Sequence, residues 1–271
     1  MPYLPANGGS LYYETEGDGN PNTIVFVHAG ICNLRMWDAQ AAAFSDHYRV
    51  VRYDTRGFGK TTTQDVEYSN RADLIALLDH LNIAKAILVG CSRGGQIAMD
   101  TTLEFPDRVA ALCLIGSGPG GYNPEGFQLP PEEQAIEDEM AASDQVKDWD
   151  KVTQADMKMW VIGPRRSADA VNPDFLNQAY AMARANYEHD GEGGKPIVLN
   201  PPAAGRLHEL DLPVLVMIGL EDESYALNAA DYMAKNIRGA VKVEFENAAH
   251  LPNLEYPDKF NKTLAEWLVK A

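Results

Sequence analysis

Basic residues are in short supply in this chain. Lys and Arg number 23 against 39 Asp and Glu, a formal net charge of −16 over 271 residues. Nucleic acids and anionic membranes recruit Lys and Arg, so neither is an expected partner. Cysteine is scarce too, with only Cys32, Cys91 and Cys113 and no C-x-x-C pair. Such a set builds no disulfide framework and fits a reducing compartment, so a cytoplasmic location is expected. The first residues, Met1-Pro-Tyr-Leu-Pro-Ala-Asn, hold neither a basic region nor an apolar core, so no secretory leader is expected. No apolar run approaches the about 20 residues that a membrane helix needs. The histidines show no H-x-x-E-H or similar spacing, and no G-x-G-x-x-G opens a helix after the first strand. Neither a metal nor any other cofactor is therefore expected.

What the chain does have is alternation. Short apolar runs predict strands over 10–16, 23–28, 49–54, 86–89, 109–117, 213–219 and 241–246. Helical spacing predicts helices over 36–44, 70–81, from Arg93 to about 105, 226–237 and 256–270. Strand and helix in turn imply an α/β fold, with a mostly parallel sheet covered by helices on both faces. Right-handed crossovers then bring the strand C-termini to one edge, where ligands bind. The alternation stops between residues 118 and 211. Helical pieces are expected there at 131–143, 153–161 and 174–187, with a glycine-rich break at 191–194. The expected organisation is a core of 1–117 and 212–271 with a helical insertion at 118–211.

The stretch that organises the rest is Ala86-Ile-Leu-Val-Gly-Cys-Ser92-Arg-Gly-Gly95. A buried strand runs into G-x-S-x-G, and a helix follows. In that context the pentapeptide is a nucleophile elbow. Its glycines let a sharp turn hold Ser92 in a strained conformation with Oγ exposed. Cys91 beside it reads as a small core residue rather than a nucleophile.

Two more polar residues fall just past predicted strand ends: Asp222 in Gly219-Leu-Glu-Asp, and His250 in Asn247-Ala-Ala-His. Serine, acid and histidine in this chain order accompany the elbow. His250 would take the serine proton and return it to the leaving group. Asp222 would fix the imidazole tautomer. Glu221 and Glu223 are rivals for the acid. Two backbone N–H groups are needed for an oxyanion hole. Arg93 should give one and the loop after the His28 strand the other, with Gly30 preferred. In the insertion, Met140, Trp149, Met157, Met159, Trp160, Phe175, Tyr180, Met182 and Tyr187 are available to line an apolar pocket. Most should serve packing; Met159 and Trp160 are the preferred lining residues.

On these residues, together with Asp54-Thr-Arg-Gly-Phe-Gly59-Lys-Thr61, Phe105-Pro-Asp-Arg-Val109 and Ala249-His-Leu-Pro252, the chain resembles the α/β-hydrolase fold enzymes. The resemblance implies a triad of Ser92, Asp222 and His250 and a helical cap at 118–211. His28-Ala-Gly30 departs from the family's His-Gly and leaves the oxyanion donor between Ala29 and Gly30. The stretch Leu34-Arg-Met-Trp37-Asp-Ala-Gln40 is similar to 3-oxoadipate enol-lactonase-like hydrolases. The expectation is a serine hydrolase of small esters or lactones, N-acyl homoserine lactones among them, acting as a monomer or homodimer. Two other uses of such a site stay open: cofactor-free haloperoxidase or perhydrolase chemistry on the same triad, and a non-enzymatic ligand receptor.

Overall fold

The strand pattern generates one large sheet. In the computed structural model, which describes residues 2–189, 192 and 194–271, the strands are β1 (Tyr3–Ala6), β2 (Gly9–Glu16), β3 (Thr23–Val27), β4 (Arg49–Tyr53), β5 (Thr62–Thr63), β6 (Glu67–Tyr68), β7 (Ala86–Cys91), β8 (Val109–Ile115), β9 (Lys195–Pro196), β10 (Val214–Gly219) and β11 (Val241–Phe245). The sheet runs β1-β2-β4-β3-β7-β8-β10-β11, with β5 attached to β2. β1 and β2 are antiparallel to their neighbours, and every pairing from β4 to β11 is parallel. β6 and β9 form a separate parallel pair.

The period of two along each central strand splits the interior into two cores. Val25, Val27, Leu88, Leu112, Leu114, Val216 and Ile218 face one side. Ile24, Phe26, Val89, Cys113, Ile115, Leu215 and Met217 face the other. On the first side pack α2 (Asn70–His80), α3 (Arg93–Glu104) and α7 (Ser224–Asn236). On the second pack α1 (Asp38–Phe44) and α9 (Pro257–Leu268). Each fully buried Leu, Ile or Val in these cores contributes about 1.5–3 kcal/mol. The short helix α8 (Pro252–Glu255) leads into α9.

Between β8 and β10 the chain builds α4 (Pro131–Gln145), α5 (Trp149–Asp156) and α6 (Pro173–Asn186), and among the described residues it contributes no strand to the large sheet. Met157, Val161, Phe175, Ala179 and Met182 of this segment join the second core. A single helix expected over 153–161 is instead α5 followed by a π-helical turn, Met157–Ile162. β1 has no counterpart among the expected strands: Pro5 interrupts its pattern, and the position is tolerated because β1 is an edge. The glycine break expected at 191–194 lies outside the described residues except for Glu192 and Gly194.

Candidate active site

The turn after β7 is tight. Ser92 adopts φ 53° and ψ −120°, a region costly for a residue with a side chain. Its N–H donates to Ile115 O at 2.7 Å, drawing the turn against β8. A Cβ on Gly90 would lie 2.6 Å from Gly95 Cα, so the chain can only cross itself here because both positions lack side chains. α3 then starts at Arg93, directly after Ser92 as its N-cap, and the first-turn N–H groups of a helix have no partner within it. Cys91 is buried, and that burial pushes its thiol well above the ordinary range, so it is inert.

Asp222 and His250 come from the loops after β10 and β11. His250 Nδ1 lies 2.8 Å from Asp222 Oδ2 and 3.0 Å from Oδ1. Both residues are buried, at 0% and 4% exposure. Burial works to lower the His250 pKa, but the adjacent Asp222 carboxylate and its hydrogen bond outweigh it, and the net shift is upward from 6.5. Asp222 Oδ1 also accepts from Glu223 N at 2.8 Å. Nδ1 engaged in this way leaves Nε2 as the free ring nitrogen, and His250 and Ser92 line the same two cavities. The rival Glu223 makes no hydrogen bond to His250 among the described residues and lines one of these cavities.

The segment between β8 and β10 braces this pair. His250 N–H donates to Trp160 O at 3.1 Å, in the π-helical turn. Arg165 Nη2 donates to Asp222 O at 2.5 Å, and Nη1 pairs with Glu133 at 3.0 Å. Glu133 is fully buried and accepts from Ser224 N at 3.0 Å, at the start of α7. Glu133 and Arg165 carry no sequence signal of this role, because it depends on how α4 docks.

The loop after β3 supplies the remaining wall. Ala29 N–H is directed at Met36 Sδ, 3.2 Å away. Gly30 lines the cavity, and its N–H has no acceptor among the described residues. Asn186 Nδ2 donates to Gly30 O and Cys32 O at 3.5 and 3.4 Å. His28 is neutral: burial, against a hydrogen bond to Ala29 O and with Arg93 nearby, lowers it to about 3. The Arg93 side chain donates to Thr55 Oγ1 and lies 4.7 Å over the Phe58 ring.

Two cavities meet at Ser92 and His250. One, of about 410 Å³, is walled by Ile31, Phe58, Met140, Asp156, Trp160, Ala183, Asn186 and Tyr187, with Gly30 at its base. The other, of about 330 Å³, is walled by Gln96, Glu223, Tyr225 and the 116–121 glycine segment. Trp160 is at the wall, its ring 6.4 Å from that of His250. Met159 is not. It is fully buried and lines neither cavity, because successive residues of a helical turn cannot share a face. Of the other apolar candidates, Met140 and Tyr187 reach the cavity, while Met157, Phe175 and Met182 serve the core. Among the described residues no three His, Cys, Asp or Glu side chains cluster as metal ligands would, and no helix is long and apolar enough to cross a membrane.

The sequence profile of the Alpha/beta hydrolase family matches residues 24–263. Over 262 residues the chain is 26% identical to 3-oxoadipate enol-lactonase 2 of Acinetobacter baylyi, covering 95% of this chain and 92% of that protein. It is 24% identical over 262 residues to a pimeloyl-[acyl-carrier protein] methyl ester esterase of Aliivibrio fischeri, covering 96% and 97%. Among solved structures it is similar to Est816, described as an N-acyl homoserine lactone degrading enzyme, with a TM-score of 0.75, 25% identity and coverage of 98% and 99%.

Proposed function

Because the chain belongs to the alpha/beta hydrolase family, we propose that it hydrolyses carboxylic esters or lactones through an acyl-enzyme on Ser92. The observation that carries this is the ring of His250, fixed through Nδ1 on Asp222 at 2.8 Å with Nε2 unpartnered among the described residues, in a cavity it shares with Ser92.

The steps follow from that geometry. His250 Nε2 takes the Ser92 proton as Oγ attacks the carbonyl carbon. The imidazolium that forms is stabilised by Asp222. The carbonyl oxygen, now an oxyanion, accepts from the backbone N–H groups of Arg93 and Gly30. Ala29 is the poorer choice because its N–H is already directed at Met36 Sδ. Each such donor is worth about a hundredfold or more in kcat. His250 then protonates the leaving alkoxide and afterwards activates a water that releases the acid. With a lactone the alcohol stays tethered, and the product is one hydroxy acid.

Residues 118–211 act as the cap over the acyl group, and Trp160, Met140 and Phe58 give it an apolar wall. The similarity to Est816 supports N-acyl homoserine lactones as one candidate class. The test is a panel of p-nitrophenyl esters from acetate to decanoate and γ-lactones with and without acyl-amide tails, run at about pH 7–8. The expected result is turnover by the wild type and a loss of about 10³-fold or more in Ser92→Ala. Full turnover by Ser92→Ala on every substrate would overturn the reading.

A further inference from the structure

The wall of the larger cavity holds a carboxylate that the chemistry at Ser92 does not use. Asp156, the last residue of α5, is 4% exposed and sits in the cavity wall. Tyr187 donates to its Oδ2 at 2.7 Å, and Trp149 stacks on Tyr187 with ring centroids 5.0 Å apart, so the phenol is held in place. Oδ1 of Asp156 has no partner among the described residues, and no Lys or Arg forms an ion pair with Asp156 or lines this cavity. Its charged neighbour is another acid, Glu137. Beside it in the same wall, Asn186 spends its amide N–H on Gly30 O and Cys32 O, and its Oδ1 is buried without a donor.

A buried carboxylate normally has a cation or several donors around it, because stripping it of water costs several kcal/mol otherwise. Here one hydrogen bond is made, and the other carboxylate oxygen is left without a donor among the described residues, in the wall of the cavity. Burial raises the Asp156 carboxyl, the Tyr187 hydrogen bond works against it and Glu137 adds to it, giving about 6. The group is mostly anionic at neutral pH.

We propose that the cavity under α5 and α6 takes an acyl chain whose far end carries a hydrogen-bond donor, an ammonium or hydroxyl group that Asp156 accepts, and turns away chains ending in a carboxylate. Asp156 is a specificity-determining residue in this assignment. Tyr187 positions it. The assignment deepens the esterase reading above and uses it only to set which end of the substrate reaches Ser92.

Binding rather than turnover tests it, so that the two readings fail separately. Hexanamide, 6-hydroxyhexanamide, 6-aminohexanamide and adipic acid monoamide are titrated into the wild-type protein, with calorimetry and Trp fluorescence as readouts. The expected order is ammonium and hydroxyl at least about tenfold tighter than methyl, with carboxylate weakest. Asp156→Leu should collapse the spread to within about threefold, and Asp156→Asn should remove the ammonium preference while keeping part of the hydroxyl one. The asparagine variant also answers if the leucine variant does not fold. Equal binding of all four, tightest binding of the carboxylate, no binding at all, or the same order in Asp156→Asn would overturn the assignment. The expected binding order without hydrolysis of the matching esters would count against the esterase reading and leave this one standing.

Discussion

Arg165 Nη2 donates to the backbone carbonyl of Asp222 at 2.5 Å, although 57 positions separate the two residues. The contact ties the helical segment between β8 and β10 to the loop that carries the acid. Arg165 also pairs with Glu133, which caps the start of α7 through Ser224.

Arg165→Ala should therefore loosen the acid loop. Arg165 is itself about a third exposed, so the loss is that of charge-assisted hydrogen bonds at a partly wet site, about 1–2 kcal/mol. In a domain of this size that is about 3–6 °C in Tm. Ester hydrolysis should lose kcat more than KM. A variant with unchanged kcat and unchanged melting temperature would mean that the loop holds itself.

The pH profile should report Asp222. His250 must be neutral to accept the serine proton, so activity rises with pH through its pKa. Asp222 holds that pKa above 6.5 against the effect of burial. In Asp222→Asn burial is opposed only by the Glu223 carboxylate, and the acid limb of kcat/KM should move to lower pH. The rate should fall by about 10²–10⁴, because the amide no longer steadies the imidazolium. An acid limb that stays put would remove Asp222 from the pair.

Glu223 should shape stability rather than rate. Burial, opposed by His250 and reinforced by Asp222, holds its carboxyl up at about 7, above its ordinary 4.5. The folded state thus binds more protons than the unfolded state between these values, and stability falls as pH rises through that window. Glu223→Gln has no proton to lose. Its melting temperature should match the wild type near pH 5 and exceed it by a few degrees at pH 8, in thermal unfolding followed at both. An advantage of equal size at both pH values would rule out the ionisation as its cause.

Gly90→Ala should be among the least tolerated changes near the site. The added methyl meets the backbone of Gly94 and Gly95, which have no rotamer to move. A loss of about 3 kcal/mol is expected, with soluble yield and thermal unfolding as the checks. Wild-type stability would show that the elbow can open.

The parts of the site that the sequence makes legible are those written locally. An apolar run, a glycine bracket and a following amphipathic helix are enough to put Ser92 on a strand-to-helix turn. Asp222 and His250 are visible because each follows the end of a strand. Asp156, Glu133 and Arg165 are not visible in this way. Each is an ordinary charged residue on a helix or loop, and what each faces is decided by how α4 and α5 dock, which no local spacing records. Met159 and Trp160 show the same limit from the other side. Both are large and apolar and they are adjacent, yet the π-helical turn buries one and turns the other to the cavity. The edge strand β1 escapes notice because Pro5 breaks its pattern.

β8 and β10 are hydrogen-bonded neighbours in the sheet, yet the whole segment that walls the larger cavity is threaded between them. The chain leaves the end of one strand and returns to the start of the next. Closing a long excursion of this kind costs little more than closing a shorter one, about 0.6 kcal/mol for each doubling of length. The sheet can thus accommodate excursions of different length, provided that the π-helical turn and Arg165 still reach the loops that carry His250 and Asp222. Such a segment can be lengthened or shortened during descent while Ser92, Asp222 and His250 keep their places, so long as the contacts from Trp160 and Arg165 are kept, and selectivity then diverges in one part of the gene while chemistry is retained in the other.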